Sequence, residues 1–192
     1  MRKADQTRDK LVEAARAAFW ARGYSNVPLR DIARAAGVDV ALISRYFGGK
    51  QGLFEAALNG AFDWPDLFDG TEDPFGTILA KFSNPAKEGF ERQVVRMILM
   101  NATDPDVGPL VRAEMERKLL APLRARLGGE GAAANVALFV AALLGASLAR
   151  QGLQLHGLAD QPSAVYAAQL RHLVDAALSF DVAAGTQAGA GR

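Results

Sequence analysis

The sequence predicts an all-α protein, with a small N-terminal unit of short helices followed by a larger helical body. Three observations carry that reading. No stretch sustains the apolar/polar alternation of a half-buried strand, and no Asn-Gly or Asp-Gly pair joins two apolar runs. Apolar residues recur instead at three- and four-residue spacing, the period of a helix face. Glycine and proline punctuate these segments at Gly23, Gly37, Gly48-Gly49, Gly128-Gly129, Gly131 and from Gly157 to Pro162.

Each element follows from local chemistry. Residues 5–22 place Leu11, Ala15, Ala18, Phe19 and Arg22 near one face, and Gly23 suits the left-handed residue that ends many helices. Pro28 fits the first turn of a second helix, where its missing N–H is not needed. That helix carries Leu29, Ile32, Ala33 and Ala36 and stops at Gly37. Asp39 can cap a third helix over residues 40–46. Gly48-Gly49 breaks it, and a fourth starts near Lys50 with Leu53, Phe54, Ala57 and Leu58 inward. Further helices are expected at 75–82, 87–102, 107–127, 132–153 and 162–180. Residues 63–73 hold five acids and no base, with Pro65 inside and Pro74 just beyond, and read as a linker or mobile loop. The resulting organisation is a domain over 1–55, a second over 56–180, and a flexible tail over 181–192.

The composition bounds the function. The chain has 192 residues, is 50% apolar and carries a formal net charge of +1. That supports a packed core and excludes wholesale disorder. With no cysteine, disulfides, thiolate metal sites and thiol nucleophiles are excluded. The polar start, Met1-Arg2-Lys3-Ala4-Asp5, shows no secretory signal. Residues 132–149 are nearly all apolar, but alanine is their commonest residue, they include Asn135, Gly145 and Ser147, and they show no aromatic or basic flank pattern. A buried helix is expected there rather than a membrane span. The near-zero charge is unevenly spread. Residues 1–60 hold ten bases and six acids, an excess of +4, and the remaining residues carry −3. A basic first third on an acidic remainder suits a small nucleic-acid module joined to something else.

Residues 29–47 carry the sharpest signal. A helix ending at Ala36-Gly37-Val38, a short turn and a second short helix from Asp39 have the spacing of a helix-turn-helix. Val38 and Ile43 can pack the second helix on Ile32 and Ala33. Its outer face is then small and polar: Val40, Ala41, Ser44 and Arg45. Small side chains let a helix sink into the major groove, where base edges are distinguishable. Spacing alone also fits an ordinary helical hairpin.

The wider pattern resembles a known family. Thr7-Arg8-Asp9-Lys10-Leu11-Val12-Glu13-Ala14-Ala15, then Phe19, Gly23-Tyr24 and Leu29-Arg30-Asp31-Ile32-Ala33-Arg34-Ala35-Ala36-Gly37-Val38 are similar to the N-terminal domain of tetracycline-repressor-like (TetR-family) regulators. Tyr46-Phe47-Gly48-Gly49-Lys50-Gln51-Gly52-Leu53-Phe54 resembles that family's closing motif. The likeness runs from about residue 6 to 58, and beyond it only helical content and length agree. Three positions depart from the pattern. Val27-Pro28 stands where the family usually has a hydroxyl pair that can hold a phosphate, and Asn26 can partly substitute. Ser44 occupies the usual tyrosine position. Tyr46 stands where histidine is common.

The resemblance implies a cytoplasmic, homodimeric transcriptional repressor that binds a double-stranded DNA operator and is released by a small hydrophobic effector, with no cofactor. It implies contacts from Arg30 to a guanine or phosphate, from Val40 and Ala41 to thymine methyls, and from Ser44 and Arg45 to base edges or backbone. Tyr46 would donate to a phosphate. Lys50, at a helix N-terminus, would form an anion site. Ile43, Phe47, Leu53 and Phe54 are expected in the core. Pocket candidates for the effector are Phe62, Trp64, Phe68, Phe75, Phe82, Phe90, Met97, Met100 and Met115, large or soft side chains suited to apolar ligands. The dimer interface is expected on the last two helices. From 132–153 it would use Val136, Phe139, Val140, Leu143, Leu144 and Leu148, and from 162–180 Val165, Tyr166, Leu170, Leu173, Val174, Ala177 and Leu178.

Enzyme motifs are missing. A phosphate loop ending at Gly49-Lys50 would need glycine at Ser44 and a hydroxyl at Gln51. Neither a Gly-x-Ser-x-Gly nor a His-Glu-x-x-His occurs. The histidines, His156 and His172, show no ligand spacing, so no metal is expected. The rival reading is a helical small-molecule adaptor or enzyme without DNA binding.

Overall fold

The computed structural model describes residues 3–63, 68, 71–83 and 89–182. Every regular element among them is helical: α1 (Lys3–Arg22), α2 (Leu29–Ala36), α3 (Ala41–Phe47), α4 (Lys50–Leu58), α5 (Pro74–Ser83), α6 (Phe90–Asn101), α7 (Gly108–Met115), α8 (Ala121–Leu127), α9 (Ala132–Ser147) and α10 (Ser163–Ser179). A π-helical turn, Glu116–Leu120, joins α7 to α8, and another, Leu148–Gly152, extends α9. Pro122 explains the first. Its ring crowds the carbonyl four residues back and it offers no N–H, so the ladder widens locally. Most of the acidic 63–73 linker and the tail from 183 onward lie outside the described residues.

The helices form two bodies, which do not divide the chain linearly. The first contains residues 1–63 together with 92–116, and the second contains 64–91 and 117–192.

In the first body α1 packs against α2 and α4, and α3 packs against α4. Leu11, Ala15 and Phe19 are fully buried, as the helical spacing predicts. Ala18 is half-buried, and Arg22 is exposed and paired with Asp31 at 3.2 Å instead of facing inward. Phe54 centres an aromatic cluster, with Phe19 edge-on at 5.3 Å, Tyr24 at 5.5 Å and Trp20 at 6.4 Å. Burying each ring contributes about 2–3 kcal/mol. Ile43 and Leu53 complete this core. Phe47 does not join it as expected. It is half-buried, because the α3 C-terminus turns it outward beneath Arg8, whose guanidinium lies 5.2 Å from the ring centroid.

In the second body α9 and α10 pack along each other, and α5 lies against both. Phe75 meets Phe139 edge-on at 5.3 Å. By length and composition Ala132–Gly152 is apolar enough to cross a membrane. Asn135 on this helix is nevertheless buried, and its amide donates to the carbonyls of Leu178 and Phe180 at 3.1 and 2.9 Å, closing the α10 C-terminus.

Burial within one chain narrows the expected dimer face. Val136, Phe139, Val140, Leu143, Tyr166, Leu170, Val174 and Ala177 are buried inside this body, and Leu144, Leu148 and Leu178 are half-buried. Because α9 is apolar all round, periodicity cannot distinguish its inner from its outer stripe. Val165 (46% exposed) and Leu173 (51%), both expected at that face, point outward on α10, as does Leu138 (55%) on α9.

Candidate nucleic-acid interface

The first body presents a short helix on two turns. Pro28 stands at the cap position of α2, one residue earlier than expected, with the extended backbone its ring favours. Gly37 ends α2 in the left-handed conformation (φ 68°), and its N–H bonds the Arg34 carbonyl at 3.1 Å. The Asp39 carboxylate accepts the Ala41 N–H at 2.7 Å and so caps α3. Gly48, left-handed at φ 74°, closes α3 by donating to the Ser44 carbonyl.

Ile43 anchors α3 and is fully buried. Val40, Ala41, Ser44 and Arg45 are all exposed, so the structure brings these four sequence-identified residues to the outer side of one helix. Arg30 is exposed on α2, and Tyr46 is half-buried with its ring edge-on to Phe47 at 6.4 Å. Asn26 is committed locally, since its amide donates to the Arg22 carbonyl at 2.9 Å and finishes α1.

Lys50 is placed differently from a simple helix-end cation. Its ammonium lies 4.4 Å from the Tyr24 ring centroid, a cation–π contact. Burial lowers its pKa, and the charges of Asp104 and Asp106 oppose that shift. Burial and the same carboxylates push the Tyr24 hydroxyl up. Burial alone would raise Asp104, but hydrogen bonds from the Ser25 hydroxyl and the Val107 and Asp106 N–H groups outweigh it and hold the carboxyl below its ordinary value. Asp104 accepts from Ser25 at 2.7 Å. Beside it, the fully buried Asn101 accepts the Tyr24 N–H at 2.8 Å and donates to the Phe19 and Met97 carbonyls.

Sequence reasoning missed two parts of this arrangement. Nothing in the sequence around Arg8 marks its contact with Phe47, which is tertiary. Asn101 and Asp104 had a local signal, the Asx-rich Asn101-Ala102-Thr103-Asp104-Pro105-Asp106 run before Gly108-Pro109, which favours a turn.

The pocket candidates do not gather in one place. Phe62 and Met97 are buried in the first body, where Met115 is half-buried and Met100 is 40% exposed. Phe82 is buried in the second body. There Phe68 lines a cleft of about 350 Å³ with Thr71, Pro74, Pro122, Ala125 and Arg126. Trp64 and the Phe90 side chain lie outside the described residues. His156 falls between α9 and α10 and has Asp160 at 3.4 Å, both exposed. Among the described residues no three His, Cys, Asp or Glu side chains gather to hold a metal.

Comparison with known proteins places this architecture. Residues 11–57 match the family model of bacterial regulatory proteins of the tetR family, and residues 73–178 match the tetracyclin repressor-like C-terminal domain. The HTH-type transcriptional regulator BetI 2 of Chromohalobacter salexigens is 45% identical over 51 residues, 27% of this chain and 25% of that protein. The HTH-type transcriptional repressor KstR2 of Mycobacterium tuberculosis is 31% identical over 102 residues, 48% of this chain and 50% of that protein. The matched region thus spans half or less of these relatives' length. In fold, the chain is similar to NalD, the secondary repressor of the MexAB-OprM multidrug efflux pump in Pseudomonas aeruginosa. The TM-score is 0.64 at 17% identity, covering 91% of this chain and 98% of that one. A tetR-family transcriptional regulator from Streptomyces coelicolor gives 0.61 at 22% identity, covering 88% and 81%. These relatives are regulators of transcription rather than enzymes, and with both family models matched the chain belongs to the TetR family of bacterial transcriptional regulators.

Proposed function

We propose that this chain is a ligand-responsive repressor that reads a palindromic operator as a homodimer in the bacterial cytoplasm. The observation that carries the reading is α3, anchored by Ile43 and free of bulky side chains at Val40, Ala41 and Ser44. Such a helix enters a major groove without steric obstruction. In this reading Val40 and Ala41 touch thymine methyls, and Ser44 and Arg45 reach base edges or backbone. Arg30, Tyr46 and Lys50 hold the flanking phosphates. Lys50 would leave the Tyr24 ring to do so.

The outward stripe of α9 and α10 supports pairing with a second copy. Leu138, Val165 and Leu173 are exposed, and a cleft of about 370 Å³ runs between the helices past Ala142, Gly145, Ala146 and Leu170. A side chain added at Gly145 would meet nothing within the chain, so its own packing does not require glycine there. Exposed apolar patches of this kind mark interaction surfaces. The effector is a small apolar molecule bound in the C-terminal body, where the Phe68 cleft has a volume within the range of ligand pockets. By binding one arrangement of the dimer better than the other, it weakens the hold on DNA.

A gel shift against the DNA upstream of the chain's own gene, at two salt concentrations, tests the reading. Wild type is expected to bind, with affinity falling steeply as salt rises. Arg30→Ala combined with Lys50→Ala is expected to weaken binding at least about tenfold, since two charged contacts are lost. Equal binding by the double variant at both salts would overturn these assignments.

A further inference from the structure

Arg8 belongs to α1, outside the helix-turn-helix, yet its guanidinium lies over the ring of Phe47, the last residue of α3. It is exposed, and among the described residues no carboxylate pairs with it. Four other cations of the first body are engaged. Arg16 donates to the Ala57 and Asn59 carbonyls at the end of α4, Arg22 and Arg34 share Asp31, and Lys50 lies over Tyr24.

Stacking uses only the face of a guanidinium. Its five N–H groups stay in the plane, at the rim of the ring, where they match the geometry of a phosphate. The length of α3 places such a phosphate. A recognition helix meets the base edges with its N-terminal residues, so the C-terminal end of α3, seven residues and about 10 Å along, stands back toward the phosphates at the groove edge. Phe47 forms that end. We propose that Arg8 is a phosphate-binding residue, presented by the Phe47 ring to the DNA backbone at the C-terminal end of α3. This rests on the reading that α3 enters the major groove.

The test is a fluorescence-anisotropy titration of the full chain on a labelled random-sequence duplex, from about 50 to about 200 mM salt. Arg8→Ala is expected to lower thermal melting by no more than a few degrees through loss of one exposed cation–π contact, to weaken binding about tenfold at the low-salt end, and to make the slope of log affinity against log salt shallower by about 0.9. Arg8→Lys should restore the slope, because it restores the charge. Phe47→Leu should weaken binding with Arg8 intact. Arg34→Ala, whose guanidinium is already paired, should leave the slope unchanged. A wild type that binds and an Arg8→Ala variant with the same affinity and slope would overturn the proposal. So would an equal loss of slope in Arg34→Ala, which would show a general charge effect. A wild type that binds no duplex at any salt would bring down the groove-binding reading itself, and this proposal with it.

Discussion

Replacing Gly52 with alanine is expected to destabilise the DNA-reading body by about 3 kcal/mol and to abolish duplex binding. Gly52 lies in the first turn of α4, and a Cβ built on it would overlap the carbonyl oxygen of Phe47. The obstructing atom is backbone, so no rotamer change relieves the clash. Either α4 or the end of α3 must move, and α3 is the helix proposed to read bases. Helix propensity points the other way, since alanine inside a helix is favoured over glycine by about 1 kcal/mol. The sign of the effect therefore decides between sterics and propensity. Circular dichroism melting and anisotropy on the same duplex measure both consequences, and a variant that melts above wild type would show that the junction yields without cost.

The second large effect is expected at Asn101. Its side chain is fully buried, and it links the α1–α2 loop, through Tyr24, to the end of α6. Asn101→Leu keeps the branching and heavy-atom count but strands the Tyr24 N–H, which has lost its acceptor at 2.8 Å, and removes two donated bonds. A buried donor without a partner costs about 1–3 kcal/mol, with the lost bonds adding to it. The first body is expected to melt about 5–12 °C lower in the variant. Asn101→Leu with an unchanged melting point would mean that water or a rearranged loop satisfies the Tyr24 N–H, and that the link is not needed for the fold.

The helical order was legible in the sequence wherever a local conformational demand marked it. Pro28, Gly37 and Gly48 each stand at a helix end because of the backbone angle they favour, and Asp39 caps α3 because its carboxylate reaches a free N–H. The outer face of α3 was legible for a similar reason, since Ile43, the one residue of the helix that is buried, sets which side faces inward. Tertiary choices were not. Nothing local to Lys50 says that its ammonium rests on Tyr24, and nothing local to Phe47 says that Arg8 will cover it. The α9 helix is illegible for the opposite reason. Apolar residues on every side leave no contrast from which to read direction, so residues such as Phe139 and Leu143 pass for a partner-facing stripe when they fill the chain's own core. The pocket candidates stand out by size and softness alone, properties shared by core and pocket residues.

In the proposed dimer, two copies of α3 read one two-fold symmetric site. Selection of bound duplexes from a random pool by the full chain, followed by sequencing, tests it with no operator sequence supplied. Enrichment is expected of an inverted repeat whose half-site centres lie about 34–36 Å apart, one turn of the duplex, or a multiple of that spacing. A pool that stays random after repeated rounds, or that converges on a single asymmetric site, would contradict it.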